Sequence, residues 1–418
     1  VASERRGPSL QGFLAGFKAL RVRNYRLYWV GQLISLTGTW MQTTAQGWLV
    51  LQLTNSPLAI GLVTTMQFLP SLLLSLFGGA VADRLPKYRL IVGTQAASLV
   101  QAVIFTALVA TGAIQLWHVY VLALLLGLVS ALDMPARQAF VVELVGRETL
   151  PNAVALNSLL FNCARVVGPG VAGLLIANLG MAPAFGLNAA SYLAVIAGLL
   201  MMRPAEFKAT PPPARGSVLE GIREGLAYTW RTPAVLQIMI VMAFVGTFGY
   251  NFNVVLPLLS GFVLHTDAVG FGALSTALGV GSLVGALVTA YSGKGGPRRL
   301  LIGAGAFSVL LAAAALSPSL PAALVLLAAL GLAGIMFTTS ANTLLQLTVP
   351  DELRGRVLSL YWTLFAGSTP VGALLIGSLS KAIGVPPTLV LCAALSLLGV
   401  ALGGLYGRRN RPAAVAAD

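Results

Sequence analysis

Charge is scarce in this chain. Of 418 residues only 9% are charged, with 12 acids against 26 bases, while 57% are hydrophobic and 46 are glycine. A mean hydropathy of +0.86 leaves too little polar surface for a water-soluble protein of this length. Period-two alternation is missing too, which argues against a membrane barrel. Helices remain, because they satisfy their backbone groups within one lipid-exposed segment. The two cysteines, Cys163 and Cys392, lie in separate apolar runs with no CxxC or Cys/His cluster. They read as small buried apolar side chains, and no disulfide or metal site is expected. No GxxxxGK[ST] phosphate loop, zinc-protease signature or nucleophile elbow occurs, so neither an enzyme nor direct use of ATP is expected, and no cofactor is implied. The first residues, VASERRGPSLQGF, lack the apolar core of a cleavable signal peptide, and the first span is expected to act as the insertion signal.

What is present is a series of apolar runs near the roughly 20 residues that cross a hydrocarbon core. They fall at 27–52, 57–82, 90–111, 116–137, 152–177 and 184–202, and again at 234–262, 268–291, 299–317, 320–342, 356–379 and 386–406. A basic lead-in, 1–26, precedes the first six-helix half, 27–202. A polar, proline-rich linker with an interfacial amphipathic helix occupies 203–233. The second half spans 234–406, and a basic tail, 407–418, closes the chain.

The stretch from Gly127 to Gly173 recurs faintly 204 residues later. Val145, Glu148, Leu156, Leu160, Phe161, Gly168 and Gly173 match Val349, Glu352, Leu360, Leu364, Phe365, Gly372 and Gly377 at one offset. The fold class is therefore an all-α membrane protein, with 12 transmembrane helices in two pseudo-symmetric six-helix halves. Parallel repeats of this kind build transporters.

The net charge of +14 does not signal nucleic acid, because the basic residues sit between apolar runs, where they set topology. Of the 26 basic residues all but Lys381 and Arg165 fall on one side of the predicted spans. That side is expected to be cytoplasmic, with both termini on it.

Several segments resemble one family. GGAVADRLPKYR, at the end of the second span, resembles the G-x-x-x-D-R-x-G-R-R loop of the major facilitator superfamily. Gly79, Asp83 and Arg84 match, Lys87 keeps the next basic position, and Pro86 replaces the usual glycine. With NYRLYWVGQLISLTGTWMQ, DMPARQAFVVELVGRE and NSLLFNCARVVGPG, the sequence is similar to the branch that includes enterobactin exporters and many multidrug exporters. That resemblance implies a monomer in a bacterial cytoplasmic membrane, carrying a small-molecule substrate and commonly driven by the proton gradient. It also places Asp83 opposite the start of span eleven near Val357. A carboxylate facing a helix N-terminus is favourable there and would hold the two halves together as a gate. Lys87 is expected to pair with Asp133, with Arg137 beside them; a solvated surface pair worth little is the alternative.

Span one carries a polar stripe. Gln32, Ser35, Thr39, Gln42, Thr43 and Gln46 fall on one face of roughly 100°. GTFGYN in span seven repeats GTWMQT of span one, aligning Thr247, Tyr250 and Asn251 with Thr39, Gln42 and Thr43. Gln32, Thr39, Gln42, Gln46, Tyr250 and Asn251 are therefore candidates to face a shared central path, with hydrogen bonding between helices as the alternative. In span five, Gly168, Pro169 and Gly173 resemble an incomplete form of the superfamily's antiporter motif, and would serve equally as a packing seam. Arg165 lies 13 residues after Asn152, roughly 20 Å into the membrane. It should bond polar groups of neighbouring helices, with Asn162 and the span-one stripe as candidates, at the edge of a cargo cavity, where its charge would attract an anionic or electron-rich cargo group or repel a proton-bearing one; an arginine that only locks span five to its neighbours is the alternative. His118 and His265 read as solvated.

The expected function is secondary active export of an amphipathic, drug-like or siderophore-like organic molecule by alternating access. A facilitated importer of the same fold and a non-transporting membrane receptor are the alternatives.

Overall fold

The computed structural model describes residues 17–208, 218–291 and 296–410 and, within these, every side chain but those of 75–84, 218 and 219. Gly79, Asp83 and Arg84 thus lie outside the described side chains. Among the described residues there is no strand. Ten helices among the described residues are long and apolar enough to cross a membrane. One of them, Leu116–Leu179, crosses twice. As a straight rod its 64 residues would run about 96 Å, three times a hydrocarbon core. It reverses at Gly146, whose φ of 74° lies in the left-handed region that glycine adopts freely. Thr94 bonds Asp133 and Gln101 bonds the Leu122 carbonyl, so the first arm runs antiparallel to span three. Tyr25 and Trp29 bond the carbonyls of Ala153 and Leu156, so the second arm runs parallel to span one. Span one itself, Arg23–Thr54, is the twelfth crossing, its hydropathy lowered by the polar stripe.

The spans of the first half are Arg23–Thr54, Pro57–Arg84, Lys87–Ala110, the two arms of Leu116–Leu179, and Ala182–Leu200. Those of the second are Pro233–Val263, Ala268–Tyr291, Pro297–Ala315, Leu320–Thr348, Asp351–Ile383 and Val385–Arg409. The sequence places a loop at 138–151, but helix continues on both sides of Gly146 because FVVELV extends the apolar pattern of span four past the membrane edge. Span eleven likewise starts at Asp351, five residues before the expected 356.

The linker holds to both halves. Asn24 exchanges hydrogen bonds with the Arg203 backbone at 3.1 Å in each direction, and the Lys208 amide donates to the Glu143 carbonyl at 2.7 Å. The linker helix, Val218–Arg231, packs on span eleven as well as presenting a polar face. Its Glu224 pairs with Arg356, and the Tyr228 hydroxyl donates to the Thr348 carbonyl.

The halves meet along two seams that repeat the sequence symmetry. A Cβ on Gly61 of span two would lie 2.5 Å from the carbonyl oxygen of Ala373 and 3.0 Å from the Cα of Gly377 in span eleven. A Cβ on Gly272 of span eight would lie 2.7 Å from the carbonyl oxygen of Pro169 and 3.0 Å from the Cα of Gly173 in span five. Residues 169 and 173 are the repeat partners of 373 and 377. Glycine is needed at these points because two backbones approach with no room for a side chain. The Thr65 hydroxyl, bonded to the Pro370 carbonyl at 3.1 Å, adds a polar tie to the first seam. Both seams run from the middle of the bundle towards the end remote from the termini. On the terminus-bearing side Leu159, one heptad below Val166 on the same face of span five, is 44% exposed, whereas Val166 packs against Gly279; the matching stretch of span two, 75–84, lies outside the described side chains.

Candidate transport path

Span seven is broken at membrane depth. Helix gives way to a π-turn over Val245–Gly249, and Tyr250 and Asn251 adopt non-helical angles before helix resumes at Phe252–Leu258. Such a break frees carbonyls that lipid cannot satisfy. Asn251 meets that need: its side-chain amide donates to the carbonyls of Thr247 at 2.8 Å and Gly246 at 3.2 Å. The residue is buried, so its first role is to hold the break open. Breaks of this kind line substrate sites in transporters.

The break carries Tyr250 to the face between the halves. Its ring stacks on Phe307 at 5.4 Å and meets Phe365 edge-on at 5.3 Å. Its hydroxyl lies near Arg165, from the other half, and near Thr338. Arg165 also lies over the Trp40 ring, 6.0 Å from its centroid. Its expected neighbour Asn162 bonds the Ser158 carbonyl instead. The main-chain carbonyl of Arg165 is opposite Gly279, halfway along span eight, which sets the arginine near mid-membrane.

The polar stripe divides. Gln42, 2% exposed, bonds Gln101 of span three at 3.3 Å and Asn188 of span six at 2.6 Å. It knits its own half together rather than facing the opposite one. Thr39 bonds the Ser35 carbonyl, and Gln32 is buried with its amide nitrogen unpartnered. Gln46 does reach the boundary between halves. It bonds Gln67 at 3.2 Å beside a small cavity, about 20 Å³ or room for one water, that Thr64 of span two and Asn253 of span seven also line. Gly168 packs against Trp40 of span one, with its repeat partner Gly372 against Thr247 and Asn251 of span seven.

The charges near the terminus-bearing end pair differently from expectation. Lys87 pairs with Glu143 at 3.3 Å, not with Asp133. Asp133 is taken by Arg137, one turn further along the same helix, and accepts hydrogen bonds from Thr94 at 2.6 Å and Gln95 at 3.3 Å. Arg137 in turn contacts Tyr28 of span one. The physical reason is reach. An i,i+4 partner needs no bridging between helices, and the extension of span four beyond 137 carries Glu143 to Lys87.

Gln67, Asn253, Thr338 and the aromatic residues Trp40 and Trp362 were not singled out from the sequence, and Phe161 and Phe365 were noted only as a matching pair of the repeat. Gln67 had a signal, as a lone amide in the apolar run TTMQF. Trp40 and Trp362 had none, since aromatic rings in an apolar span read first as core.

Two six-helix halves, glycine seams between them and a broken helix at the boundary define a membrane transporter of the major facilitator type. The sequence profile described as transmembrane secretion effector matches residues 14–413, and the chain belongs to that family within the major facilitator superfamily. It is a multi-pass membrane transporter, not an enzyme. It is 31% identical over 376 residues to the multidrug efflux pump Tap of Mycolicibacterium fortuitum, covering 87% of this chain and 91% of that protein. It is 26% identical to the staphyloferrin A transporter of Staphylococcus aureus, over 84% of this chain and 88% of that protein. With the enterobactin exporter EntS of Citrobacter koseri it shares 27% identity over 91% of this chain and 90% of that one. Among solved structures, a bacterial homologue of the lysosomal transporter Spinster superposes with a TM-score of 0.74 over 97% of this chain and 98% of that one, at 14% identity.

Proposed function

We propose that the chain exports an amphipathic organic molecule from the cytoplasm by alternating access, drawing on the proton gradient. The observation that carries this reading is the pair of symmetry-related glycine seams, which close the halves on each other from mid-membrane to the end remote from the termini. A rocking motion of one half against the other would open that sealed end and close the opposite one. The excess of basic residues supports a cytoplasmic position for the terminus-bearing side, from which cargo would enter. The relatives that pump drugs or export enterobactin support the outward direction.

The test is flux in membrane vesicles of both orientations with an imposed pH gradient. Export predicts that dye accumulates in everted vesicles when the lumen is acidic and stops when the gradient is collapsed. Accumulation only in right-side-out vesicles would make the chain an importer.

A further inference from the structure

Among the described residues Arg165 pairs with no carboxylate. A cation at that depth that keeps its proton is costly unless something compensates it. The acids on its own long helix are committed elsewhere, Asp133 to Arg137, Glu143 to Lys87 and Glu148 to Lys18. What surrounds Arg165 is aromatic and comes from both halves. Trp40 lies under the guanidinium, and Phe161 meets Trp40 edge-on at 5.7 Å. On the opposite half Tyr250 touches Phe365, which meets Trp362 edge-on at 5.9 Å. Phe161 and Phe365 are repeat partners, so each half supplies the equivalent ring. Phe161 is 45% exposed and Trp362 51% exposed, one turn or so from Arg165 and Phe365 towards the terminus-bearing end.

We propose that Arg165 and these rings form an anion site. It takes an organic anion with a planar aromatic body, whose carboxylate or phenolate meets Arg165 and whose rings lie against Phe161 and Trp362. This rests on the transporter reading above. In this structure the Tyr250 hydroxyl, from the other half, lies near the guanidinium. A carboxylate is the stronger partner, because a hydrogen bond between two ions outweighs one to a neutral group. Cargo would therefore displace the Arg165–Tyr250 contact, and occupancy would loosen a tie between the halves. A cationic compound of the same shape is repelled by the same guanidinium.

The experiment uses the purified full-length protein and three probes of one shape: 9-anthracenecarboxylate, 9-anthracenemethanol and 9-anthracenemethylamine, with binding read by tryptophan quenching. The carboxylate is expected to bind about 10- to 100-fold more tightly than the alcohol, the range a hydrogen bond to a charged group supplies, and the ammonium most weakly. Arg165→Gln should erase that difference at unchanged thermal stability, and Arg165→Lys should keep part of it. Equal binding of the three probes by the unmodified protein overturns the proposal without any variant, as does failure of all three to bind at about 1 mM. A folded Arg165→Gln protein that still prefers the carboxylate also overturns it. Binding is measured without a gradient, so an absence of flux in vesicles would count against the exporter reading alone. Export without discrimination between the probes would count against the anion site alone.

Discussion

Replacing Gly61 by alanine puts a methyl carbon 2.5 Å from a backbone oxygen, that of Ala373, and 3.0 Å from the Cα of Gly377. Neither atom belongs to a flexible side chain, so the two helices must separate to admit it. Overpacking of this sort costs about 1–3 kcal/mol. The contact exists only while the seam is closed, so the cost falls on this conformer and not on one in which span two has moved away from span eleven. The ratio of the two states should shift by about 5- to 150-fold against the conformer seen here. Thr64, buried beside the seam at the small cavity, is a suitable reporter. With Cys163 and Cys392 replaced, an impermeant maleimide added outside should label Thr64→Cys faster when Gly61→Ala is also present. Gly272→Ala, whose Cβ would lie 2.7 Å from the Pro169 carbonyl oxygen, should act in the same direction. Gly93→Ala and Gly305→Ala, where an added methyl would meet nothing within 4 Å, serve as controls and should leave labelling unchanged. Unchanged labelling in a folded Gly61→Ala protein would show that the seam does not open during function.

Asp133→Asn removes the partner of Arg137. Breaking such a pair costs about 3–5 kcal/mol at full burial and less here, where both side chains are 15% exposed, so thermal unfolding in detergent should fall by several degrees. Glu143→Gln should cost less, because Lys87 keeps some access to water at 20% exposure. Gln42→Leu leaves Asn188 and Gln101 short of a partner and should lower stability by about 1–3 kcal/mol; a change in cargo preference at normal stability would instead put Gln42 on the path. For topology, a cysteine at Glu206 should resist an impermeant reagent added to whole cells and one at Gly180 should react with it.

The crossings were legible because length and hydropathy alone define them, and the repeat was legible because Gly168, Gly173, Gly372 and Gly377 keep one spacing. Their meaning required the packed fold: a glycine in an apolar run says that something approaches closely, not which helix does. Lys87 shows a second limit. Ending span four at 137 hid the reach of Glu143, and the i,i+4 spacing of Asp133 and Arg137 within that span was passed over, so the wrong acid was assigned to Lys87. The face of the span-one stripe was correct as a periodicity, yet span one is packed on several sides. Gln42 turns to spans three and six, while Gln46, one turn on, meets span two. Arg165 was expected to need partners, and polar side chains nearby in sequence were the obvious candidates. A tryptophan face and the hydroxyl of Tyr250 across the boundary are partners that no spacing along span five reveals.

Rocking of two rigid halves about the seams is the central claim, and paired distances test it most directly. Spin labels at Gln52→Cys and Lys381→Cys report the sealed end, and labels at Arg147→Cys and Gly355→Cys report the end that bears the termini. All four positions are exposed. Introducing Gly61→Ala should lengthen the Gln52–Lys381 distance and shorten the Arg147–Gly355 distance in the same sample. Lengthening at one end with no closure at the other, or fixed distances at both, would contradict alternating access by this pair of halves.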